Sequence, residues 1–279
     1  MKLTSGICVT ALILGGTAAC ASSASSPAAG GGGSSSPSTT SVGSTTPETS
    51  ASSPSSGGQV QRLAEIHAEG GFAGNQPRLQ PPAVVVYSDG TVVLNALKQH
   101  TLTPANLTKL MTTLRKDLDG LPEDVKPTSR PIPDIATTVL VVRKADGSEQ
   151  TVRASGLPQI GKEGGYPAPL YDAYTKLDAL SADPGTPFTS SKVRYLLQCP
   201  VTTQDKPKPW PAAVPQPTRA GDGNCTEMPV VEGAAADAVR AACQPAMPGD
   251  GQAKPTVPYQ SDKGVRTCQW RYALPDETS

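Results

Sequence analysis

All aromatic residues of this 279-residue chain lie after residue 58. A hydrophobic core needs large apolar side chains, so the folded part must be built from the last 221 residues, enough for one sizeable domain or two small ones. Lys and Arg number 24, Asp and Glu number 24, and His only two. This composition argues against an extended nucleic-acid surface and against a His-built metal site. We expect no nucleic-acid partner, no metal and no cofactor.

The N-terminus has the features of an export signal. After Lys2, residues 7–16 (ICVTALILGG) form an apolar stretch of signal-peptide length, and Thr17-Ala18-Ala19-Cys20 is a small-residue cleavage region. Cys20 is similar to the lipid-modified cysteine of bacterial lipoproteins, although Thr17 stands where Leu is usual. We predict a signal peptide over residues 1–19, lipidation of Cys20 and attachment to the outer face of the cytoplasmic membrane. The alternative is ordinary cleavage nearby, which would release a soluble secreted protein.

Residues 21–58 consist almost wholly of Ala, Ser, Gly, Pro and Thr. Such a segment has no apolar surface to offset chain entropy, so residues 20–58 are predicted to be a lipidated cysteine followed by a disordered tether. As a flexible coil, the tether would have a root-mean-square reach of about 35 Å. The folded part would then sample a layer of cell wall above its anchor.

Two predicted β-hairpins follow. Residues 83–87 and 91–94 are β-rich runs on either side of Asp89-Gly90, and residues 137–143 and 149–153 flank a second Asp-Gly turn at Asp146. Gly accepts the positive φ of such a turn without steric cost, which makes Asp-Gly a strong hairpin signal. The repeated order indicates either duplication or, as we favour, a common hairpin solution.

Each hairpin is followed by a predicted amphipathic helix. The first begins at Thr103-Pro104 and ends at Gly120, and the second runs from about Pro169 to Leu180. Residues 192–199 (KVRYLLQC) add a fifth strand. These elements predict an α+β fold for residues 59–199, with an antiparallel sheet from the two Asp-Gly hairpins and helices on one face.

The rest of the chain is poorer in apolar residues. Residues 200–224 are predicted to be a Pro-rich connector, and residues 225–279 a small disulfide-stabilised C-terminal α/β subdomain with a helix near 234–243 and a last strand over 264–273. That region has too little apolar content to stand alone, so we expect it to pack on the first unit or to be held by disulfides.

Four cysteines remain if Cys8 leaves with the signal and Cys20 is lipidated. Outside the membrane they predict structural disulfides, because no CxxC spacing favours a metal or redox site. Three connectivities are open, and the favoured one pairs Cys199 with Cys225 and Cys243 with Cys268.

Several short motifs are spread over most of residues 70–277: GGF, VVVYSDGTVV, LTPANLTKLM, TTVLVVRKADGSEQTV, VRYLL, the Trp210-Pro211 pair and the terminal RYALPDE. Together they resemble a family of uncharacterised actinobacterial lipoproteins. The resemblance implies an envelope lipoprotein of high-GC Gram-positive origin. It implies no activity and no catalytic residue.

The candidate catalysts in the sequence are two histidines and two aspartates. His67 is interpreted as a surface imidazole on an amphipathic turn, and His100 as a solvent-exposed residue before the first helix. Asp89 and Asp146 could be interpreted as a carboxylate pair for acid-base catalysis. Each precedes Gly in a predicted hairpin turn, however, and the turn is a sufficient reason for an Asp at that position. We therefore predict no catalytic residue.

Two tryptophans are candidates for a recognition surface. We favour a packing role over a recognition role for both. Trp210 is expected to pack on the connector, and Trp270 beside a disulfide. The favoured function is a non-enzymatic module that binds a cell-wall component or an exported protein. The alternatives are a cell-envelope hydrolase with unidentified carboxylate catalysts and, less favoured, a transporter-linked solute receptor.

Overall fold

The structure, a computed structural model, describes residues 60–71, 79–129, 132–161, 163, 165–199, 206–219, 226–246 and 257–278. The predicted signal peptide, Cys20, the tether and Cys225 lie outside these residues. In the described part of the chain, four helices and two sheets form a mixed fold, which confirms the α+β prediction. The helices are α1 (Pro104–Leu118), α2 (Leu157–Ile160), α3 (Ala168–Asp178) and α4 (Gly233–Ala242).

The first sheet contains eight strands in the order β5-β7-β6-β1-β2-β3-β4-β8. Its strands are β1 (Arg62–Glu69), β2 (Val84–Tyr87), β3 (Thr91–Leu94), β4 (Lys98–Thr101), β5 (Asp124–Val125), β6 (Thr137–Arg143), β7 (Glu149–Ser155) and β8 (Thr186–Pro187). All neighbours are antiparallel except β5, which runs parallel to β7. Strand β1 lies between β2 and β6 and so joins the two hairpin regions.

Strand β1 corrects the sequence analysis, which interpreted this segment as an amphipathic turn. Alternate residues Ala64 and Ile66 are buried in the main core, while Glu65 and His67 lie on the opposite face. This period of two is the pattern of a strand with two different faces. The adjacent apolar residues Leu63 and Ala64 break a strict alternation, so the segment does not read clearly as a strand.

Helices α1 and α3 cover one face of the first sheet. Thr103 caps α1, with its hydroxyl accepting from the Asn106 amide at 3.3 Å, and Pro104 stands at the first helical position. Leu114 and Leu118 of α1 are fully buried together with Leu170 and Leu177 of α3. Burial of these side chains fixes the helices on the sheet.

The second sheet has the order β10-β13-β14-β9-β11, with β12 also paired to β14. Its strands are β9 (Val193–Gln198), β10 (Lys208–Pro209), β11 (Val230–Val231), β12 (Gln244–Pro245), β13 (Pro258–Ser261) and β14 (Gly264–Tyr272). Helix α4 packs on it, and a disulfide joins Cys243 at the end of α4 to Cys268 in β14. That predicted pair is therefore confirmed.

The prediction that residues 192–199 complete the first sheet is wrong. Strand β9 pairs with β14 over six residues, and its Val193, Tyr195 and Leu197 are buried in the second core. The alternating apolar residues indicated a strand, but they carry no information on which sheet it joins. Pairing with β14, a distant partner in sequence, decides its place.

The second face of the first sheet is only partly covered. Over β2 and β3, Val85, Tyr87 and Val93 pack against Phe188 and Leu274. Leu274 belongs to the chain segment that follows β14. Over β1, β6 and β7 the same face carries charged and polar residues and contains a cleft.

Candidate functional site

A cleft of about 560 Å³ lies on the face of the first sheet that is turned away from the helices. Its floor is a row of cross-strand neighbours, with Glu65 beside Val141 and Val141 beside Thr151. These side chains share a face because strand residues alternate between the two sides of a sheet. The lining residues are Val60, Gln61, Arg62, Glu65, Val141, Arg143, Glu149, Thr151 and Asp276.

One wall of the cleft is formed by Arg62 and Asp276. The guanidinium of Arg62 donates two hydrogen bonds to the Asp276 carboxylate, from Nε at 3.0 Å and from Nη2 at 3.1 Å. The Tyr87 hydroxyl donates a third at 2.8 Å. Burial favours the neutral acid, but the donors from Arg62 and Tyr87 outweigh it and lower the pKa of Asp276. Asp276 is therefore held as a carboxylate.

The floor contains a carboxylate that is almost fully buried. Glu65 is only 7% exposed and forms an ion pair with Arg62. Its Oε1 lies 2.8 Å from Nδ1 of His67, the next residue but one on β1. Burial opposes ionisation, yet the contacts with His67 and Arg62 lower the pKa of Glu65. A buried carboxylate without such partners would be costly.

His67 lies between two carboxylates. Its Nδ1 faces Glu65, and its Nε2 lies 3.2 Å from Glu69 Oε1. The Glu65 carboxylate is the main cause of a raised His67 pKa, burial works against it, and Glu69 adds to it. Each ring nitrogen thus lies close to a carboxylate oxygen. The predicted surface turn is replaced by a strand position in a charged row.

The row continues away from the cleft through Glu69, Arg153 and Glu123. Arg153 pairs with Glu69 across the sheet and with Glu123 at 3.3 Å. From Asp276 to Glu123, the row alternates negative and positive groups. Each ion in it has an oppositely charged neighbour, so the surface is strongly polar without a large net charge.

The far end of the cleft is formed by Arg143 and Glu149. These residues are direct cross-strand neighbours on β6 and β7. Their closest side-chain atoms, Nη2 and Oε1, are 3.8 Å apart, which is beyond hydrogen-bond distance. This end of the cleft is therefore more loosely paired than the Arg62 wall.

The segment after β14 connects the cleft to the second sheet. Asp276 bonds to Arg62 and Tyr87 of the first sheet, whereas Glu277 accepts two hydrogen bonds from Arg271 of the second at 2.7 and 2.8 Å. Arg194 of β9 also pairs with Glu277, at 3.1 Å. Two consecutive carboxylates therefore link the two sheets.

The other predicted site residues lie elsewhere. His100 is on β4, and its side chain is only 11% exposed, so the expectation of solvent exposure is wrong. Its Nε2 lies 3.2 Å from the Leu180 carbonyl oxygen. Asp89 and Asp146 each accept a hydrogen bond from the amide two residues on, at 2.9 Å. They hold turns on separate hairpins, and the structure does not bring them into the cleft.

The tryptophans belong to the second core. Trp210 donates from Nε1 to Val214 O at 2.9 Å and packs edge-on against Tyr259. Trp270 packs against Tyr272 in the cluster that contains Cys243 and Cys268. Both positions agree with the packing role that was favoured for them.

Cys199 is disulfide-bonded. Its predicted partner, Cys225, lies outside the described residues, so that pairing stays a prediction. Among the residues that the structure describes, no group of three or more His, Cys, Asp or Glu is arranged to hold a metal ion.

Sequence reasoning missed Arg62, Glu65, Asp276 and Glu277. The alternation in RLAEIHAE was the available signal for the first two. Asp276 and Glu277 lie within the terminal RYALPDE motif. Nothing local to that motif shows that its acids meet arginines about 214 and 6 residues away.

No family model, curated protein or solved structure was found to match this chain. No helix in the described ranges combines the length and apolarity that crossing a membrane requires.

Proposed function

We propose that this chain is an extracytoplasmic lipoprotein, anchored by a lipid on Cys20, whose folded part is a non-enzymatic binding module that uses the cleft on the first sheet. The apolar stretch before Cys20 and the Ser/Ala/Gly/Pro tether after it support the anchor. The Cys243–Cys268 disulfide supports an oxidising compartment outside the cytoplasm. The resemblance of the sequence motifs to actinobacterial lipoproteins is in keeping with a proposed location on the outer face of a cytoplasmic membrane.

The observation that carries the binding role is the state of the ionisable groups in the cleft. Asp276 and Glu65 have lowered pKa values, and His67, whose pKa is raised, is not among the residues that line the cleft. General acid-base catalysis instead favours a group whose pKa lies near the working pH and that faces the substrate. A set of fixed ions beside an open cleft is suited to recognition by charge and shape.

Replacing Cys20 tests the anchor. Cys20→Ala should move the protein from the membrane fraction to the medium or soluble fraction, because it removes the acceptor of the lipid. Cys8→Ala is the matched control, since Cys8 lies within the predicted signal and should leave fractionation unchanged. A Cys20→Ala protein that stays quantitatively in membranes would overturn the anchor, and a wild-type protein found free in the medium would favour ordinary secretion.

Site-specific photo-cross-linking in intact cells tests the binding module. A cross-linking amino acid at Thr151, in the cleft, should capture a defined cell-wall or exported component. The same residue at Thr112, exposed on α1, is the control and should not capture it. Equal capture at both positions would contradict a role for the cleft. Turnover of a cell-wall fragment that Glu65→Gln abolishes would instead support the hydrolase alternative.

A further inference from the structure

Two arginines line the cleft, and they differ in how far their donors are used. Arg62 has Asp276 and Glu65 as partners. Arg143 has only Glu149 at 3.8 Å, and its buried Nε has no hydrogen-bond partner among the described residues. A guanidinium has five N–H donors, and the Arg143 side chain as a whole is 30% exposed, so its outer donors are the ones in the cleft that an added acceptor can reach.

Arg143 is the less tightly paired of the two positive groups that line the cleft. Glu149 is the nearby acid, and its side chain is 56% exposed, so solvent screens its charge. The Arg143 end therefore differs from the Arg62 wall, where two carboxylates share one guanidinium.

Beside Arg143, part of the edge of the first sheet has no paired strand among the described residues. Strand β5 pairs only with Arg153 and Ala154 of β7, and within the described ranges no strand pairs with Glu149–Val152 on that side. The Arg153 amide points to this edge, because it donates to Glu123 O at 2.6 Å. Main-chain groups alternate in direction along a strand, so those of Thr151 and Glu149 point to the same edge.

We propose that this end of the cleft binds a short extended peptide, with the peptide's C-terminal carboxylate on Arg143 and its main chain along the Glu149–Thr151 edge of β7. The inference rests on the binding role proposed above and names its ligand class. Arginine and carboxylate match in geometry and form paired charge-assisted hydrogen bonds. An extended peptide added to an open strand edge gains main-chain hydrogen bonds. The cleft of about 560 Å³ lies within the usual range for ligand sites.

An inorganic anion would use only part of this arrangement. Phosphate or acetate can pair with Arg143, but neither offers a main chain to β7. A peptide amide offers the main chain without the charge. The three kinds of probe therefore separate a simple anion site, a strand edge without end recognition, and the combined site.

The test uses the exported chain, purified as cells produce it. The protein is titrated with trialanine, and the NMR signals of the Arg143 Nε–H and the Thr151 amide are followed. Trialanine and N-acetyl-trialanine should shift both signals saturably. Trialanine amide should bind at least tenfold more weakly, and sodium phosphate should not shift the Thr151 amide. Arg143→Gln should weaken trialanine binding at least tenfold and Arg143→Lys by less. Arg240→Gln, which removes an arginine on α4, should change nothing.

Equal affinity for trialanine and its amide, unchanged binding by Arg143→Gln, or phosphate shifting both signals as trialanine does would each overturn the proposal. Absence of trialanine binding would overturn it as well. If Thr151 cross-linking still captures a component in cells, the binding role survives and only the peptide class fails. If neither trialanine binding nor position-dependent cross-linking is seen, both fail.

Discussion

The two sheets of this molecule are stabilised in different ways. The first is covered on one face by α1 and α3 and buries a large apolar cluster that includes Leu114 and Leu140. The second has a smaller core, a disulfide, and a buried arginine, Arg266, that is only 1% exposed and donates to the Arg219 carbonyl at 2.7 Å. Where apolar area is short, a covalent link and main-chain acceptors take over part of the stabilisation.

The segment after β14 uses both kinds of stabilisation. Leu274 enters the apolar cluster over β2 and β3, whereas Asp276 and Glu277 bind arginines of the first and the second sheet. A few residues thus combine apolar burial with ion pairing. They also form one wall of the cleft, so the shape of the candidate site depends on how the two sheets are joined.

The largest expected effect is in the first core. Leu114→Ala should lower the free energy of unfolding by about 4 kcal/mol, because it removes a fully buried side chain and leaves a cavity. Urea unfolding followed by circular dichroism measures this loss. Thr112→Ala, an exposed change on the same helix, should stay within about 0.5 kcal/mol of the wild type. A Leu114→Ala loss as small as that of the control would mean that α1 is not essential to the core.

The disulfide is expected to have the next largest effect. Cys243→Ser should cost about 3 kcal/mol, because the bridge closes a loop between residues 25 apart and restricts the unfolded chain. Ala241→Ser, an exposed change on the same helix, is the control. Hydrogen exchange should show lost protection mainly in β13 and β14. Equal loss of protection in β1 and β6 would contradict the view that the Cys243–Cys268 disulfide stabilises mainly the second sheet.

A smaller effect is expected at the carboxylates that join the sheets. Arg271 is only 8% exposed, so Glu277→Gln would replace a charged acceptor of a buried guanidinium by a neutral one and should cost about 2 kcal/mol. Asp276→Asn should cost less, because the side chains of Arg62 and Asp276 are each a quarter exposed. Urea unfolding at pH 7 measures both losses. A larger loss for Asp276→Asn would mean that this segment is held more strongly to the first sheet than to the second.

The helices and the turns of the fold could be predicted because their signals are local. Thr103-Pro104 marks the start of α1, and Asp89 and Asp146 bond to amides two residues away. The sheet that β9 joins could not be predicted, because it depends on pairing with β14 about 70 residues later. The cleft was missed for the same reason. It requires β1, β6 and β7 to become neighbours and Asp276 to meet Arg62.

The smallest expected effect concerns His67 and the charged row of the first sheet. The His67 pKa is raised above its ordinary value of 6.5, chiefly by Glu65 and further by Glu69. Its contribution is therefore fully present below pH 6.5 and is lost as the pH rises through the raised value. Glu65 and Glu69 have lowered pKa values, so their contributions are lost only on the acid side, below their ordinary value of 4.5. Between pH 4.5 and the raised His67 pKa, we expect protonation of His67 to determine how this row changes the free energy of unfolding with pH.

Urea unfolding at pH 6 and pH 9 measures this slope. The wild type should lose about 0.5 kcal/mol on going to pH 9, since the pair is partly exposed and screened. His67→Gln should remove the loss, because glutamine does not titrate. Glu69→Gln should keep most of it, since Glu65 is the main cause of the raised pKa. An unchanged slope in His67→Gln would mean that the charged row adds no pH-dependent stability to the first sheet, which would then rest on its apolar core.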